Sequence, residues 1–164
     1  VVPGGETGHI STRNGVYFLK NRLSEDDYVI IHDAARPIVY QDIIDDLIEK
    51  AKANGNACSA VSCYETVVLT ENRTSGKEQI DRNRIVRVQT PQCYNYGLIK
   101  SLYEKADKDN REDFVYANIL AMNYGVEIYF SKGTNNNIKI TTKDDIALFR
   151  ALLYYINNAE GEEN

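Results

Sequence analysis

The sequence contains no tryptophan, a single methionine, and only three cysteines and three prolines. The cysteines, Cys58, Cys63 and Cys93, show no Cys-x-x-Cys spacing, and the two histidines, His9 and His32, lie far from them in sequence. This arrangement lacks the ligand pattern of a zinc site. Reduced thiols in the protein core are the simplest interpretation, and they favour a cytoplasmic protein.

Long apolar runs and an excess of positive charge are also missing. The best candidate for a membrane span, Ala147–Ile156, is interrupted by Arg150 and is far shorter than the roughly 20 residues that a spanning helix needs. Lysine and arginine number 19 against 24 aspartate and glutamate residues, a net charge of −5. That balance argues against a broad basic surface for nucleic acid. We therefore expect no membrane and no nucleic-acid partner, and any anionic ligand has to be held by a small local group of cations.

The residues that are present are typical of one globular domain. The 164 residues are 43% hydrophobic and 26% charged, which is enough for a single buried core. We expect residues 1–157 to form this domain and the polar residues 158–164 to be a tail or the start of a linker. The first residues, Val1–Gly5, have neither an initiator methionine nor the features of a signal peptide, so we expect the chain to be part of something longer.

A succession of strand, helix and strand predicts the fold class. Tyr28–His32 is β-branched and almost continuously apolar, as in a strand buried on both faces. Gln41–Asn54 keeps its apolar residues on one helical face and is followed by Gly55, a residue suited to ending a helix. Ala57–Cys63 reads as the next strand. The order predicts a right-handed parallel crossover, and hence an α/β fold with a Rossmann-like, mostly parallel sheet flanked by helices.

The segment Tyr64–Val88 departs from this pattern. Short strand signals at Val67–Leu69 and Ile85–Val88 flank the stretch Glu71–Asp81, which is too polar to pack into a core. We predict a β-hairpin arm that projects from the domain. Because its strands would have unpaired edges in a monomer, the arm favours a homodimer.

Helical periodicity and turn residues predict the remaining elements. Ser11 is a candidate cap for the first helix, Gly125 for the end of a later one, and Thr142–Asp145 has the spacing of a capping box. The further predicted helices are Tyr96–Lys105, Phe114–Asn123 and Ile146–Ile156, and the further predicted strands are Val126–Phe130 and Asn137–Ile140.

Polar residues directly after strands are candidates for a site, because ligands of open α/β sheets bind outside the carboxyl ends of the strands. Asp33 and Arg36 follow the first strand. A carboxylate there can hold a divalent cation, and a guanidinium can bind a phosphate through two hydrogen bonds. The alternative is that Asp33 caps a turn and Arg36 pairs with a surface carboxylate. Lys139, in a β-branched segment before a capped helix, is a further candidate, with a solvated ammonium as the alternative.

Other residues are weaker candidates. Thr90-Pro91-Gln92 is expected to form a tight loop with a free hydroxyl, although most such turns are structural. Gly4-Gly5, followed by Ser11, offers a backbone that can approach a ligand closely. His32 is expected to be a hydrogen-bonded residue outside the mechanism.

Taken together, these segments resemble a known family of cytidylyltransferases, which acts on 2-C-methyl-D-erythritol 4-phosphate or ribitol 5-phosphate. The resemblance runs from Gly4 to about Leu153, and its most specific element is His32-Asp33-Ala34-Ala35-Arg36-Pro37. The other matching segments are Gly4-Gly5, Glu65-Thr66, Asp81-Arg82-Asn83, Thr90-Pro91-Gln92 and Asn137-Ile138-Lys139-Ile140-Thr141. The resemblance implies transfer of CMP from CTP to a polyol phosphate, in isoprenoid or in teichoic acid or capsule biosynthesis.

The resemblance also implies roles for individual residues. Catalytic roles fall to Lys139, Arg36 and Asp33, with Asp33 also near Mg²⁺. Nucleotide contacts fall to Gly5, Glu6 and Ser11, and substrate contacts to Thr66, Arg82 and Thr90. Thr66 and Arg82, on the predicted arm, would reach the neighbouring subunit of a homodimer.

The chain departs from the family pattern in three places. No segment matches the glycine-rich loop that wraps the CTP phosphates, Gly8 stands where the family usually has an arginine, and Glu112-Asp113 replaces a threonine-aspartate pair. These departures favour ribitol phosphate or a related polyol over methylerythritol phosphate. They also leave two alternatives: a non-catalytic nucleotide-fold or dimerisation domain, and a nucleotide-sugar enzyme of related fold that uses UTP.

Overall fold

A computed structural model of the protein describes residues 1–159 and contains five α-helices and six strands. The helices are α1 (Gly8–Phe18), α2 (Gln41–Asn54), α3 (Tyr96–Lys108), α4 (Ala117–Asn123) and α5 (Lys143–Ala159). The strands are β1 (Tyr28–Ile31), β2 (Asn56–Ser62), β3 (Val67–Leu69), β4 (Glu78–Ile80), β5 (Val86–Asn95) and β6 (Phe130–Lys132).

The main sheet is mixed and has four strands in the order β1-β5-β2-β6. Strand β6 runs parallel to β2, and β5 is antiparallel to both β1 and β2. Three of the strands therefore run the same way, which confirms the α/β class. Strands β1 and β2 are parallel, as the predicted crossover requires, but β5 lies between them. This long strand pairs on both sides, and its central residues, Gln89–Tyr94, are buried.

Helix α2 forms as its sequence predicts. Ile43, Leu47 and Ala51 recur at helical spacing and are all buried. Gly55 ends the helix in the left-handed region, with φ of 84°, and its N–H donates to the carbonyl of Ala51 at 2.7 Å. The apolar face of α2 packs with Ala57 and Cys93 against one side of the sheet.

The larger core lies on the other side of the sheet, beneath α1, α3 and α4. Its centre is aromatic, because Tyr94, Tyr96 and Tyr103 are all at most 1% exposed. The hydroxyl of Tyr96 donates to the carbonyl of Val16 at 3.1 Å and so joins α3 to α1. All three cysteines are buried and free, which confirms their interpretation as core residues.

The arm is a hairpin, but its strands differ from the predicted ones. Strand β3 pairs with β4, which lies inside the stretch expected to be the tip. Residues Val86–Val88 instead extend β5 along β2 in the main sheet. The hairpin makes its own two-stranded sheet and leaves Val68 46% and Leu69 55% exposed.

Several element boundaries also differ from the predictions. Thr7, not Ser11, caps α1, since its side-chain oxygen accepts the N–H of Ile10 at 3.2 Å. The predicted strand at 126–130 is wrong except for its last residue, because β6 begins at Phe130 and ends at Lys132. No strand forms at 137–140 within the described residues, because Asn137 closes a turn onto the carbonyl of Thr134 and Ile140 makes a single backbone bond to Ala35.

The capping box before α5 is confirmed. The Asp145 carboxylate accepts the backbone N–H groups of Thr141 at 2.9 Å and Thr142 at 2.7 Å, and these bonds lower the pKa of Asp145 to about 2. The N–H of Asp145 donates back to the Thr142 hydroxyl at 3.4 Å. The helix continues beyond the predicted end at Ile156 to Ala159, and residues 160–164 of the predicted tail lie outside the described part of the chain.

No helix within residues 1–159 combines the length and the apolar character that crossing a membrane would require.

His9 of α1 provides a test of this packing. It is 2% exposed, and its ring centroid lies 5.0 Å from that of Tyr103 and 5.7 Å from that of Phe114. Burial, aided by the nearby Arg13 charge and opposed by Glu112, Asp107 and Asp113, lowers the pKa of His9 below its ordinary value of 6.5. The unfolded chain then binds more protons than the folded one below that pH, so acid destabilises the fold.

We therefore expect the free energy of unfolding to fall as pH drops from 6.5 towards 5 and the variant His9→Phe to flatten this slope. Urea unfolding at a series of pH values measures this dependence of the free energy of unfolding on pH. His32→Gln is the matched control, because it leaves His9 as the sole histidine and should keep the slope. Equal slopes in the wild type and His9→Phe would contradict the account.

Candidate active site

The site begins where β1 ends. The backbone N–H of Asp33 donates to the hydroxyl of Thr90 at 3.0 Å. Thr90 is 5% exposed and lies within β5. The expectation of a loop at Thr90-Pro91-Gln92 is therefore wrong, because the segment lies within β5 and Gln92 pairs with both β1 and β2. The hydroxyl is not free, since it fixes the backbone that carries Asp33.

Asp33 gathers two cations on a single carboxylate oxygen. Its Oδ2 lies 3.0 Å from the ammonium nitrogen of Lys139 and 3.5 Å from Nε of Arg36. The side chains are partly shielded from water, with exposed fractions of 24% for Asp33, 31% for Lys139 and 14% for Arg36. The hydrogen bond to Asp33 raises the pKa of Lys139, so Lys139 stays charged. The three residues predicted to be catalytic thus lie together.

Asn137 holds the cluster together, and the sequence analysis missed it. It is 1% exposed, its carbonyl accepts from Nη1 of Arg36 at 2.7 Å, and its side-chain amide donates to the carbonyl of Thr90 at 2.7 Å. The partners of Asn137 are remote from it in sequence. The one indication of its role in the sequence was a polar side chain in an apolar segment.

His32 lies beside the cluster without joining it. Its Nε2 lies 2.8 Å from the carbonyl oxygen of Arg36. This contact confirms the interpretation of His32 as a hydrogen-bonded residue, and it braces the turn that carries Arg36.

Two adjoining cavities open over the cluster, and both are lined by Asp33, Thr90, Gln92 and Tyr116. The first, here called the lysine pocket, has about 220 Å³ and is also lined by Gly8, Thr12 and Lys139. The second, here called the amide pocket, has about 300 Å³ and is also lined by Arg36, Gln89, Asn118, Val88, Ile119 and Met122. The Lys139 nitrogen lies 5.4 Å from the ring centroid of Tyr116.

Of the residues expected to contact the nucleotide, Gly5 and Glu6 lie in the loop before α1, and Ser11 lies in the first turns of α1. The N–H of Gly5 donates to the hydroxyl of Ser11 at 2.9 Å, which joins two of the predicted residues. A side chain at Gly5 would place its Cβ only 2.1 Å from Ile10, so the close approach requires glycine. Glu6 is exposed. These three residues line neither pocket, but Gly8 and Thr12 of the same helix line the lysine pocket.

Thr66 and Arg82 do not join the cluster within one chain. Both are exposed on the arm, and Nη1 of Arg82 donates to the carbonyl of Tyr64 at 3.1 Å. Neither residue lines the lysine pocket or the amide pocket.

The donor set of the site fits one particular kind of metal binding. Within residues 1–159 no group of three histidine, cysteine or acidic side chains could enclose a cation. Asp33 can still supply a carboxylate oxygen, because its side chain lines both pockets. Mg²⁺ is commonly held by one or two carboxylates, with phosphate oxygens and waters completing the shell.

Known proteins share this arrangement of sequence and fold. The profile of the 2-C-methyl-D-erythritol 4-phosphate cytidylyltransferase family, IspD, matches residues 1–155. The ribitol-5-phosphate cytidylyltransferase of Lacticaseibacillus paracasei is 38% identical, over 93% of this chain and 66% of that protein. The 2-C-methyl-D-erythritol 4-phosphate cytidylyltransferase of Clostridium novyi is 35% identical, over 93% of this chain and 64% of that protein.

Solved structures agree with these sequence relatives. The 2-C-methyl-D-erythritol 4-phosphate cytidylyltransferase of Francisella tularensis superimposes with a TM-score of 0.78 at 31% identity, over 91% of this chain and 69% of that one. The chain spans less than two thirds of the length of the curated relatives named above, 66% and 64%. On the match to residues 1–155 and the identity of these relatives, the chain belongs to the 2-C-methyl-D-erythritol 4-phosphate cytidylyltransferase family.

Proposed function

We propose that the protein transfers CMP from CTP to a polyol phosphate, giving a CDP-alditol and pyrophosphate. The observation that carries the proposal is the convergence of Lys139, Arg36 and Asp33 over two adjoining pockets. The relatives named above, which act on ribitol 5-phosphate or on 2-C-methyl-D-erythritol 4-phosphate, support this class of acceptor.

The reaction suits a site built from fixed cations. An oxygen of the polyol phosphate attacks the α-phosphorus of CTP, the bond from that phosphorus to the β-phosphate oxygen breaks, and pyrophosphate leaves with the electron pair. The nucleophile is already anionic near neutral pH, so no general base is required. The barrier lies in bringing two polyanions together, and positioned cations lower it through charge stabilisation.

The two cations address different parts of this encounter. Lys139 lines the lysine pocket beside the start of α1, and Arg36 lines the amide pocket. Lys139 therefore neutralises charge where the two phosphates meet, and Arg36 binds the phosphate of the acceptor. Asn137 fixes the guanidinium of Arg36 at Nη1 and Nε is buried beside Asp33, which leaves Nη2 for a ligand.

The loop before α1 is proposed to hold the nucleoside. Gly5, Glu6 and Ser11 would contact the cytosine and the ribose, with the Gly5–Ser11 hydrogen bond setting the loop's shape. The backbone at Gly8 opens onto the lysine pocket, where the family usually presents an arginine.

Mg²⁺ is proposed as the cofactor, with the carboxylate of Asp33 as its protein ligand. When bound, it would neutralise phosphate charge and polarise the phosphorus–oxygen bonds. Asp33 also keeps Lys139 and Arg36 oriented through its Oδ2.

A homodimer is proposed, with the arm reaching into the partner's site. The arm exposes Tyr64, Val68 and Leu69 at 70%, 46% and 55%, more apolar surface than an isolated hairpin tolerates well. Thr66 and Arg82 lie on this arm and away from both pockets of their own chain. In a homodimer, Thr66 and Arg82 would contact the polyol phosphate bound to the partner, a role that they do not have within a single chain.

Ribitol 5-phosphate is the preferred acceptor in this proposal, with methylerythritol phosphate as the other choice. The product would then enter teichoic acid or capsule biosynthesis, and with the other acceptor isoprenoid biosynthesis. Three buried free thiols suit the reducing cytoplasm as its location.

A pyrophosphate-release assay of the natural protein with CTP, Mg²⁺ and a panel of alditol phosphates tests the proposed function. We expect turnover with ribitol 5-phosphate and less with UTP in place of CTP. Turnover with no alditol phosphate would contradict the proposal and favour a non-catalytic nucleotide-binding or dimerisation role. Preference for UTP would favour a nucleotide-sugar enzyme.

Removing the Lys139 ammonium tests its role in the chemistry. We expect Lys139→Ala to lower kcat/KM by about 100-fold or more, because charge developing between the two phosphates loses its nearest cation. Lys143→Ala is the matched control, since Lys143 is exposed at the start of α5 and lines neither pocket. A loss of less than about fivefold in Lys139→Ala would remove this residue from the mechanism.

Mixed dimers test whether Arg82 acts in the partner's site. Arg82→Ala and Lys139→Ala homodimers should both be nearly inactive. A heterodimer of the two contains one site with an intact Lys139 served by an intact Arg82, so it should recover up to about half of the wild-type activity. No recovery in a confirmed heterodimer would mean that Arg82 serves its own subunit or none.

A further inference from the structure

Two buried amides form part of the amide pocket and have no role in the reaction as proposed above. Gln92 of β5 is 4% exposed and Asn118 of α4 is 5% exposed, and Nε2 of Gln92 donates to Oδ1 of Asn118 at 3.2 Å. Both line the pocket that also contains Arg36. A pair of amides is costly to bury unless its hydrogen bonds are used.

The core fixes the orientation of this pair. The hydroxyl of Tyr94 donates to Oε1 of Gln92 at 2.8 Å, and the thiol of Cys58 lies 3.6 Å from the same hydroxyl. Burial raises the pKa of Tyr94 well above its ordinary value and that of Cys58 to about 12, so both groups stay protonated as donors. With Oε1 occupied by Tyr94, the amide nitrogen of Gln92 faces Asn118.

This chain of hydrogen bonds ends on an unused donor. Oδ1 of Asn118 accepts from Gln92, whereas its Nδ2 makes no hydrogen bond within residues 1–159. Nδ2 is also accessible to solvent, since the buried side-chain atoms that lack a hydrogen-bond partner in the described residues do not include it. The N–H groups of Asn118 therefore open onto the amide pocket at a fixed orientation.

The other walls of the pocket define what can use this donor. Arg36 offers its guanidinium to a phosphate, while Val88, Ile119 and Met122 present apolar surface. The volume of about 300 Å³ suits a small phosphorylated chain of alternating C–H and O–H groups. A purely apolar chain would leave the N–H donors of Asn118 without a hydrogen bond. The pocket would therefore discriminate against an apolar chain in favour of a hydroxylated one.

We propose that the amide pocket holds the carbon chain of the acceptor and that Asn118, oriented by Gln92, donates a hydrogen bond to one of its hydroxyl oxygens. This inference rests on the proposed function and deepens it, since it names the residues that select a hydroxylated phosphate. Asn118 contacts the substrate, and Gln92 is a positioning residue that acts through it.

The test compares two acceptors that share a phosphate monoester and differ in hydroxyl groups: ribitol 5-phosphate and n-pentyl phosphate. We expect the wild type to prefer ribitol 5-phosphate by at least about 100-fold in kcat/KM. Asn118→Leu, which keeps the approximate shape, should reduce that preference at least about tenfold through a higher KM for ribitol 5-phosphate, with the KM for CTP unchanged. Asn118→Ala provides the same readout if the leucine variant does not fold.

Gln92→Leu separates positioning from packing. It should lower the same preference, and the double variant with Asn118→Leu should be no less selective than Asn118→Leu alone, because both changes remove one interaction. Asn123→Leu is the matched control: this neighbouring asparagine donates to the carbonyl of Ile119 and does not line the pocket.

The outcomes distinguish this inference from the function beneath it. Transfer of CMP by the wild type to none of ribitol 5-phosphate, 2-C-methyl-D-erythritol 4-phosphate and n-pentyl phosphate would overturn both. Transfer to ribitol 5-phosphate with no preference over n-pentyl phosphate, or with the preference intact in the folded Asn118 variants, would overturn the role of Asn118 and leave the cytidylyltransferase proposal standing. Additive losses in the double variant would overturn the positioning role of Gln92.

Discussion

The Asp33 carboxylate is the interaction on which the site depends, because it holds two cations from distant parts of the sequence against one oxygen. Lys139 and Arg36 approach that oxygen to 3.0 and 3.5 Å, and without it the two positive groups would repel each other in a partly dehydrated setting. An acidic chain, with a net charge of −5, can in this way concentrate positive charge at the site proposed for two phosphorylated substrates.

Strand β5 connects this charge cluster to the core. Side chains two residues apart share one face of a strand, so Thr90, Gln92 and Tyr94 lie in a row. Thr90 supports the backbone of Asp33, Gln92 lies in the wall of the pockets, and Tyr94 is fully buried in the aromatic core. Cys93, on the opposite face, packs against α2. The packing of Tyr94 and Cys93 in the core therefore also fixes the orientation of the polar residues Thr90 and Gln92. This explains why the segment expected to be a loop is part of a strand.

Local patterns in the sequence predicted the structural features that depend on residues close together in sequence. The helix periodicity and Gly55 placed α2, Thr142 and Asp145 placed the start of α5, and polar residues beside apolar segments pointed to Asp33, Arg36 and Lys139. The resemblance to a known family added the roles of these residues. Contacts between remote segments were missed: the insertion of β5 between β1 and β2, the brace at Asn137, and the amide pair of Gln92 and Asn118. Such pairings depend on the whole fold, and no local pattern encodes them.

The central claim is that Asp33 arranges the cations that join CTP to a polyol phosphate, and ³¹P NMR tests it most directly. In a mixture of CTP, Mg²⁺ and ribitol 5-phosphate, the account predicts that the wild-type protein produces the diphosphate signals of a CDP-alditol together with free pyrophosphate. The folded Asp33→Asn variant, which removes the charge and keeps the shape, is predicted to produce neither over the same time. Formation of both products by Asp33→Asn at the wild-type rate would contradict the account.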